Sequence, residues 1–206
     1  VRQGRYARDE RDDPPPAENP CALDYAPLAM TENMPSSSPL TAVILAAGQG
    51  TRMKSARPKV LHELCGRPMI HHVVSAALDA GASDVVVVVG HGREEVIESL
   101  TRAFGDRVRT AVQEEQLGTG HAVRCALPAL REGAETALVL YGDTPLLEAA
   151  ELTRLAAALT GAAPLAMLTV KLDAPTGYGR ILRANGLVTG VREERDCSAE
   201  ERAIRE

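Results

Sequence analysis

Val85-Val86-Val87-Val88-Val89, five consecutive β-branched residues closed by Gly90, decide how this chain folds. A strand that faces water on one side alternates apolar and polar residues, whereas a strand covered on both faces reads as an unbroken apolar run. The run therefore predicts a parallel strand buried between helices. Just before it, Ile70, Val73, Val74, Ala77 and Leu78 have helical spacing, with Pro68 suited to the helix start and Gly81 to its C-terminal cap. Earlier still, Ala42–Ala46 is a buried-type strand ended by a glycine-rich turn. On the other side, Val96, Ile97, Leu100 and Phe104 form a helix before Gly105. Next come a short strand near Val108–Val112, a helix with Val123, Ala126, Leu127 and Leu130, and a strand at Thr136–Tyr141. Another helix presents Leu152, Leu155, Ala156 and Leu159, capped by Gly161. A strand at Leu165–Leu172 leads to Ile181–Arg183 and Leu187–Val191, joined by the hairpin signal Asn185-Gly186. The pattern predicts an α/β fold: a doubly wound, mostly parallel sheet with a C-terminal antiparallel hairpin.

Composition narrows the function. The 206 residues are 45% hydrophobic and 25% charged, with a net charge of −5. That balance suits a soluble globular protein and argues against a general nucleic-acid binder, which needs a basic face. No apolar run approaches the ~18 residues of a membrane span. Cys21, Cys65, Cys125 and Cys197 are scattered, with no C-x-x-C pair, as expected in a reducing cytoplasm. Residues 1–39 differ from the rest: seven of the 13 prolines lie there, with four Arg against seven Asp or Glu. Such a segment buries too little to offset its ordering entropy, so it reads as a disordered leader. Met30 and Met34 sit just before the first strand, which makes an internal start the expectation, and 40–206 is the domain.

In doubly wound sheets ligands bind beyond the carboxyl ends of the strands, where four segments fall. Leu45-Ala46-Ala47-Gly48-Gln49-Gly50-Thr51-Arg52-Met53 follows the first strand. It lacks the G-K-[ST] of a Walker loop and the third glycine of a dinucleotide fingerprint. It is either a backbone phosphate cradle with Arg52 as a fork, or a tight turn with a solvated arginine. Lys59, one of three lysines against 20 arginines, is either a compact charge kept for phosphate or a surface residue. Gln113-Glu114-Glu115-Gln116-Leu117-Gly118-Thr119-Gly120-His121 carries amides able to read a base edge, or simply caps a helix. Asp143, in Tyr141-Gly142-Asp143-Thr144-Pro145, is placed to hold Mg²⁺ between phosphates, or to cap the next turn. His62, His71, His72 and His91 read as packing or surface residues, because no spacing pairs them with a carboxylate.

Together with P-K-V-L-H at 58–62, Q-L-G-T-G-H-A at 116–122, Y-G-D-T-P-L at 141–146 and T-G-Y-G-R-I at 176–181, these segments resemble a known family. It is the uridyltransferase half of the bifunctional bacterial N-acetylglucosamine-1-phosphate uridyltransferase/glucosamine-1-phosphate acetyltransferase family. The resemblance covers Leu40 to Glu206 and implies a Rossmann-like nucleotide-diphospho-sugar transferase fold in a cytoplasmic enzyme. The implied reaction converts UTP and N-acetylglucosamine 1-phosphate to UDP-N-acetylglucosamine and pyrophosphate with Mg²⁺, for cell-wall precursor and lipopolysaccharide synthesis. By the same resemblance Leu45, Ala46, Ala47 and Gly48 line the nucleotide pocket, and Arg52 and Lys59 neutralise the triphosphate as catalytic groups. Gln113, Gly118 and Thr119 contact the uracil nucleoside. Tyr141 and Gly142 border the sugar, Asp143 binds the metal, and Gly179 and Glu193 contact the N-acetylglucosamine. The family domain continues beyond Glu206 with asparagines for sugar and metal, and with a β-helix that carries acetyl transfer and trimer contacts, so the chain reads as a fragment. A related nucleotidyltransferase for another sugar phosphate or base, or a nucleotide-sugar-binding module without turnover, would share many of these features. The retained Arg52, Lys59 and Asp143 favour an enzyme.

Removing residues 1–33, so that the chain starts at Met34, is expected to change stability by no more than about 0.5 kcal/mol. Thermal denaturation checks this. A melting temperature lowered by several degrees, or slow hydrogen exchange within residues 1–33, would show that the leader docks.

Overall fold

Leu40–Ala46 (β1) runs through the middle of a four-stranded sheet, with five of its seven residues buried. The computed structural model describes residues 39–48, 50, 53–159 and 164–206. All but the last residue of the expected leader, together with Arg52 and the Gly161 cap, therefore lie outside the described residues. In chain order the elements after β1 are a small hairpin of Glu63–Leu64 (β2) and Arg67–Pro68 (β3), then helix Met69–Asp79 (α1). Strand Asp84–Val89 (β4), helix Arg93–Phe104 (α2), strand Val108–Val112 (β5) and helix Thr119–Ala126 (α3) follow. Next are strand Thr136–Tyr141 (β6) and helix Ala149–Ala157 (α4). Hairpin strands Arg180–Ala184 (β7) and Leu187–Arg192 (β8) and the single turn Ala199–Arg202 (α5) complete the set.

The sheet order is β5-β4-β1-β6, and every pairing is parallel. All six residues of β4 are buried, and the pleat divides them. Val85, Val87 and Val89 pack with Ile44, Ile70, Leu100 and Leu152, so α1, α2 and α4 share one face. Val86 and Val88 pack with Val43, Ala111, Ala122 and Ala126, which puts α3 on the other. Alternation with period 2 between two helix layers is what the valine run required. Asp84, also buried, meets two guanidinium nitrogens of Arg109, with Nη2 at 2.5 Å and Nε at 3.3 Å. The predicted Asn185-Gly186 turn has both residues at positive φ, 52° and 81°, as a two-residue hairpin needs.

Two local expectations are corrected. Leu165–Leu172 forms no strand: Leu165 is 74% exposed, Met167, Leu168 and Val170 are also exposed, and no described strand pairs with the segment. Strand propensity is realised only against a partner edge, and among the described residues the segment's one backbone N–H bond runs from Leu172 to the Arg205 carbonyl. The helix expected to present Val123, Ala126, Leu127 and Leu130 does bury Ala126, but it ends there, buries Ala122 as well, and leaves Leu127 exposed. Pro128 enters a 3-10 turn at Leu127–Ala129, and the small alanines allow close approach to the sheet. The β2–β3 hairpin, turning on Cys65 and Gly66 at positive φ, and α5 were not anticipated. Among the described residues no helix is long and apolar enough to cross a membrane.

His71 of α1 meets Phe104 of α2 edge to face, with ring centroids 5.3 Å apart, and its Nε2 lies 2.9 Å from Ser99 Oγ. Burial there, reinforced by the Arg67 guanidinium and by His72, holds the imidazole below its ordinary value. The folded state thus takes up this proton less readily than the unfolded chain. Stability from this site is complete above the ordinary histidine pKa of about 6.5 and declines as pH falls below it. His71→Gln is expected to flatten the fall in urea-denaturation midpoint between about pH 7 and 5. An unchanged slope would assign the fall to other groups.

Candidate functional site

Because all four strands are parallel, Ala46, Val89, Val112 and Tyr141 end along one edge of the sheet. The loops leaving that edge enclose a cavity of about 580 Å³. Gly142 N–H donates to the Leu45 carbonyl at 2.9 Å, and Gln113 N–H to the Val89 carbonyl at 2.8 Å. Gln116 Nε2 reaches back to the Ala47 carbonyl at 2.7 Å. These bonds tie the β5–α3 and β6 loops to neighbouring strands.

Lys59 sits in a 3-10 turn, Lys59–Leu61, whose Val60 and Leu61 sink into the core. The anchored turn presents Lys59 to the cavity, where Nζ lies 2.5 Å from Asp143 Oδ2. Gly50, at φ 60°, closes over the lysine stem, and a Cβ there would come within 2.6 Å of Lys59 Cβ. Gly142 is constrained from beneath: a Cβ would meet Ile70 Cδ1 at 2.7 Å and the Leu45 carbonyl at 3.2 Å. A glycine before Asp143 is therefore what lets β6 end against β1 with the carboxylate at the cavity.

Of the residues expected at the site, Leu45, Ala46, Ala47, Gly48, Lys59, Gln113, Gly118, Thr119, Tyr141 and Asp143 all line this one cavity. Gly142 packs below it. Gly179 and Glu193 are not among its lining residues. Gly179 lies against Val191 and the Arg192 carbonyl, beside the buried Arg180. Arg180 donates to the carbonyls of Pro175 and Tyr178 and pairs with Glu194, which also accepts from Gly177 N–H. Sequence reasoning singled out the loop that holds Gln116 but not the residue itself. Val60 and Ala122, which also line the cavity, carry no chemical signal by which they could be found.

The donor set is sparse. Among the described residues no three His, Cys, Asp or Glu side chains cluster as a metal cage, and Asp143 brings a single carboxylate to the cavity. One hard oxygen ligand beside a cation and a glycine-rich turn suits a divalent ion that keeps its waters and shares phosphate oxygens, rather than an all-protein metal site.

The Lys59 and Asp143 side chains are 38% and 32% exposed, so their pairing adds little to folding. Lys59→Met and Asp143→Asn are each expected to change stability by no more than about 1 kcal/mol. Chemical denaturation tests this, and a loss of several kcal/mol would make the pair a structural element.

The family described as MobA-like NTP transferase domain matches residues 42–188. The bifunctional protein GlmU of Sorangium cellulosum (strain So ce56) is 66% identical over 175 residues, 82% of this chain and 37% of that protein. The chain thus spans little more than a third of the length of this curated relative. A solved nucleotidyl transferase from Methanothermobacter thermautotroptrophicus superposes with a TM-score of 0.53 at 27% identity, covering 71% of this chain and 63% of that one. HddC from Yersinia pseudotuberculosis shares the fold, with a TM-score of 0.58 at 23% identity over 74% and 68% of the two chains.

Proposed function

The chain belongs to the MobA-like NTP transferase family, and we propose that it joins UTP to N-acetylglucosamine 1-phosphate, releasing pyrophosphate and forming UDP-N-acetylglucosamine. The observation that carries this reading is the Lys59–Asp143 pair in the cavity, flanked by the β1 glycine turn and the Gln113 loop. The 66% identity to a GlmU protein across most of the chain supports the choice of substrates. These substrates place the reaction in the cytoplasm.

The sugar phosphate supplies its own nucleophile, an anionic oxygen, so the site needs no general base. That oxygen bonds to the α-phosphorus of UTP as the bond from the α-phosphorus to the bridging oxygen breaks, and pyrophosphate leaves with the electron pair. What the protein must do is align the two phosphates and neutralise charge. The turn from Leu45 to Gly48 offers backbone beside the cavity, and Gln113 with Gly118 and Thr119 holds the uracil nucleoside. Lys59 exchanges its carboxylate partner for phosphate oxygens, a point charge suited to the spreading negative charge of the transition state. Arg52 belongs to the same loop and is assigned the same work. Asp143, relieved of Lys59, is the residue that would hold Mg²⁺, which when bound supplies charge neutralisation between phosphate oxygens. Tyr141, half exposed at the end of β6, is assigned to the sugar together with Gly142, and Gly179 and Glu193, which lie outside the cavity lining, are assigned to its N-acetylglucosamine part.

The test is Mg²⁺-dependent pyrophosphate release from UTP and N-acetylglucosamine 1-phosphate, measured in parallel on the chain and on the chain joined to the remainder of the Sorangium relative. Asp143→Asn is expected to abolish metal-dependent turnover with the fold retained. Arg52→Ala and Lys59→Ala should each lower kcat roughly 10²-fold, the scale of losing one preorganised electrostatic donor. Full turnover by Asp143→Asn at saturating Mg²⁺ would overturn the metal assignment. A raised KM alone in Lys59→Ala would show that the lysine only binds.

A further inference from the structure

We propose that His121 is a positioning residue that locks the Gln113 carboxamide with its oxygen left as an acceptor, so that the site selects a nucleotide whose base carries a ring imide N–H. The inference rests on the uridine reading above and explains how that choice of base would be enforced.

Gln113 lines the cavity yet is only 4% exposed, so its amide has little freedom to trade partners with water. Its Nε2 lies 3.1 Å from the Gly118 carbonyl and 3.0 Å from His121 Nδ1. The Gly118 carbonyl can only accept, which requires the nitrogen of the carboxamide, not the oxygen, on that side. The second N–H is then directed at His121 Nδ1, which can accept it only when unprotonated. That assigns the ring proton to Nε2, which lies 3.8 Å from Cys125 Sγ, a weak acceptor one helical turn along α3. With both N–H groups engaged, Oε1 is the one group of the amide left for a ligand, and no described residue bonds to it.

A pyrimidine with an imide N–H at N3, such as uracil or thymine, meets that acceptor with a donor. Cytosine presents a lone pair there and sets acceptor against acceptor. Turning the amide over to suit cytosine would place Oε1 against the Gly118 carbonyl and the Nδ1 lone pair together. His121 thus supplies one of the two penalties that keep the amide in its orientation. A buried polar group left unpaired by the wrong ligand is a strong source of discrimination.

The experiment is calorimetric binding of UTP, dTTP and CTP to the 206-residue chain with Mg²⁺, for wild type, His121→Leu and His121→Asn. Wild type should bind UTP and dTTP over CTP. His121→Leu should lose about tenfold of the UTP-over-CTP preference, the scale of one hydrogen bond. His121→Asn, whose Oδ1 keeps an acceptor near the Nδ1 position, should recover most of it. Equal weakening of all three nucleotides in His121→Leu, with the ratio intact, would mark a merely structural role and overturn the proposal. Failure of His121→Asn to restore the ratio would do the same. A wild type with no preference for UTP would overturn the uridine reading itself and this inference with it. Should His121→Leu not fold, long-range ¹H–¹⁵N spectra of the wild-type imidazole decide: an unprotonated Nδ1 at neutral pH supports the lock, and a protonated Nδ1 refutes it.

Discussion

Everything in this structure depends on β1 being paired along nearly its whole length on both sides. Its register sets Ala46 opposite Val89 and Leu45 opposite Tyr141, so neighbouring strands finish at one level and their loops open into the same space. A slip of one residue in either pairing would exchange the two faces of the sheet and expose apolar rows now covered by helices. The burial that makes the sheet stable is therefore also what fixes the position of the site. Lys59, from a turn after β1, and Asp143, from the end of β6, meet at 2.5 Å across 84 residues of sequence because of that register.

The sequence made the sheet legible wherever burial left a one-dimensional trace. Five valines in a row require cover on both faces, and α1 and α2 show their spacing because large residues such as Ile70, Val73, Val96 and Leu100 mark a single stripe. Where the buried surface is made of alanine, the trace fades. In α3 the buried pair is Ala122 and Ala126; periodicity finds Ala126 but misses Ala122, and it includes Leu127, which is exposed. Leu165–Leu172 fails for a different reason. Its composition is that of a strand, but pairing is a property of two segments, and no described edge takes it up. The β2–β3 hairpin has strands of two residues each, too short for any periodicity to register.

The segments of the site were legible where polar residues and glycines interrupt the apolar pattern at strand ends, and the family resemblance narrowed them to the positions of which ten share one cavity. What stayed hidden is how those residues hold one another. No spacing rule says that Lys59 and Asp143 would neutralise each other, or that Gly50 would press on the lysine stem. Nor does the motif around Gly179 reveal that its neighbour Arg180 is spent inside the fold, 2% exposed and bound to Glu194 and two carbonyls. An arginine buried and bonded in this way organises a loop. It is not free to meet a phosphate.

The cavity divides its work along the sheet edge. On the β1 and β6 side, charge predominates: an ammonium group and a carboxylate, each about a third exposed, which in the proposed reaction would meet phosphate and metal and be blind to the identity of a base. On the β5–α3 side the polar groups are neutral, and the central one, Gln113, is almost wholly buried and held by two partners. Exposed charges are screened and tolerant of geometry, whereas a buried amide punishes a mismatched ligand with an unpaired polar group. In the proposed reaction, selectivity for the base therefore belongs to the half of the site with no charge, and its strength would be set by how firmly the residues behind Gln113 keep its amide from turning.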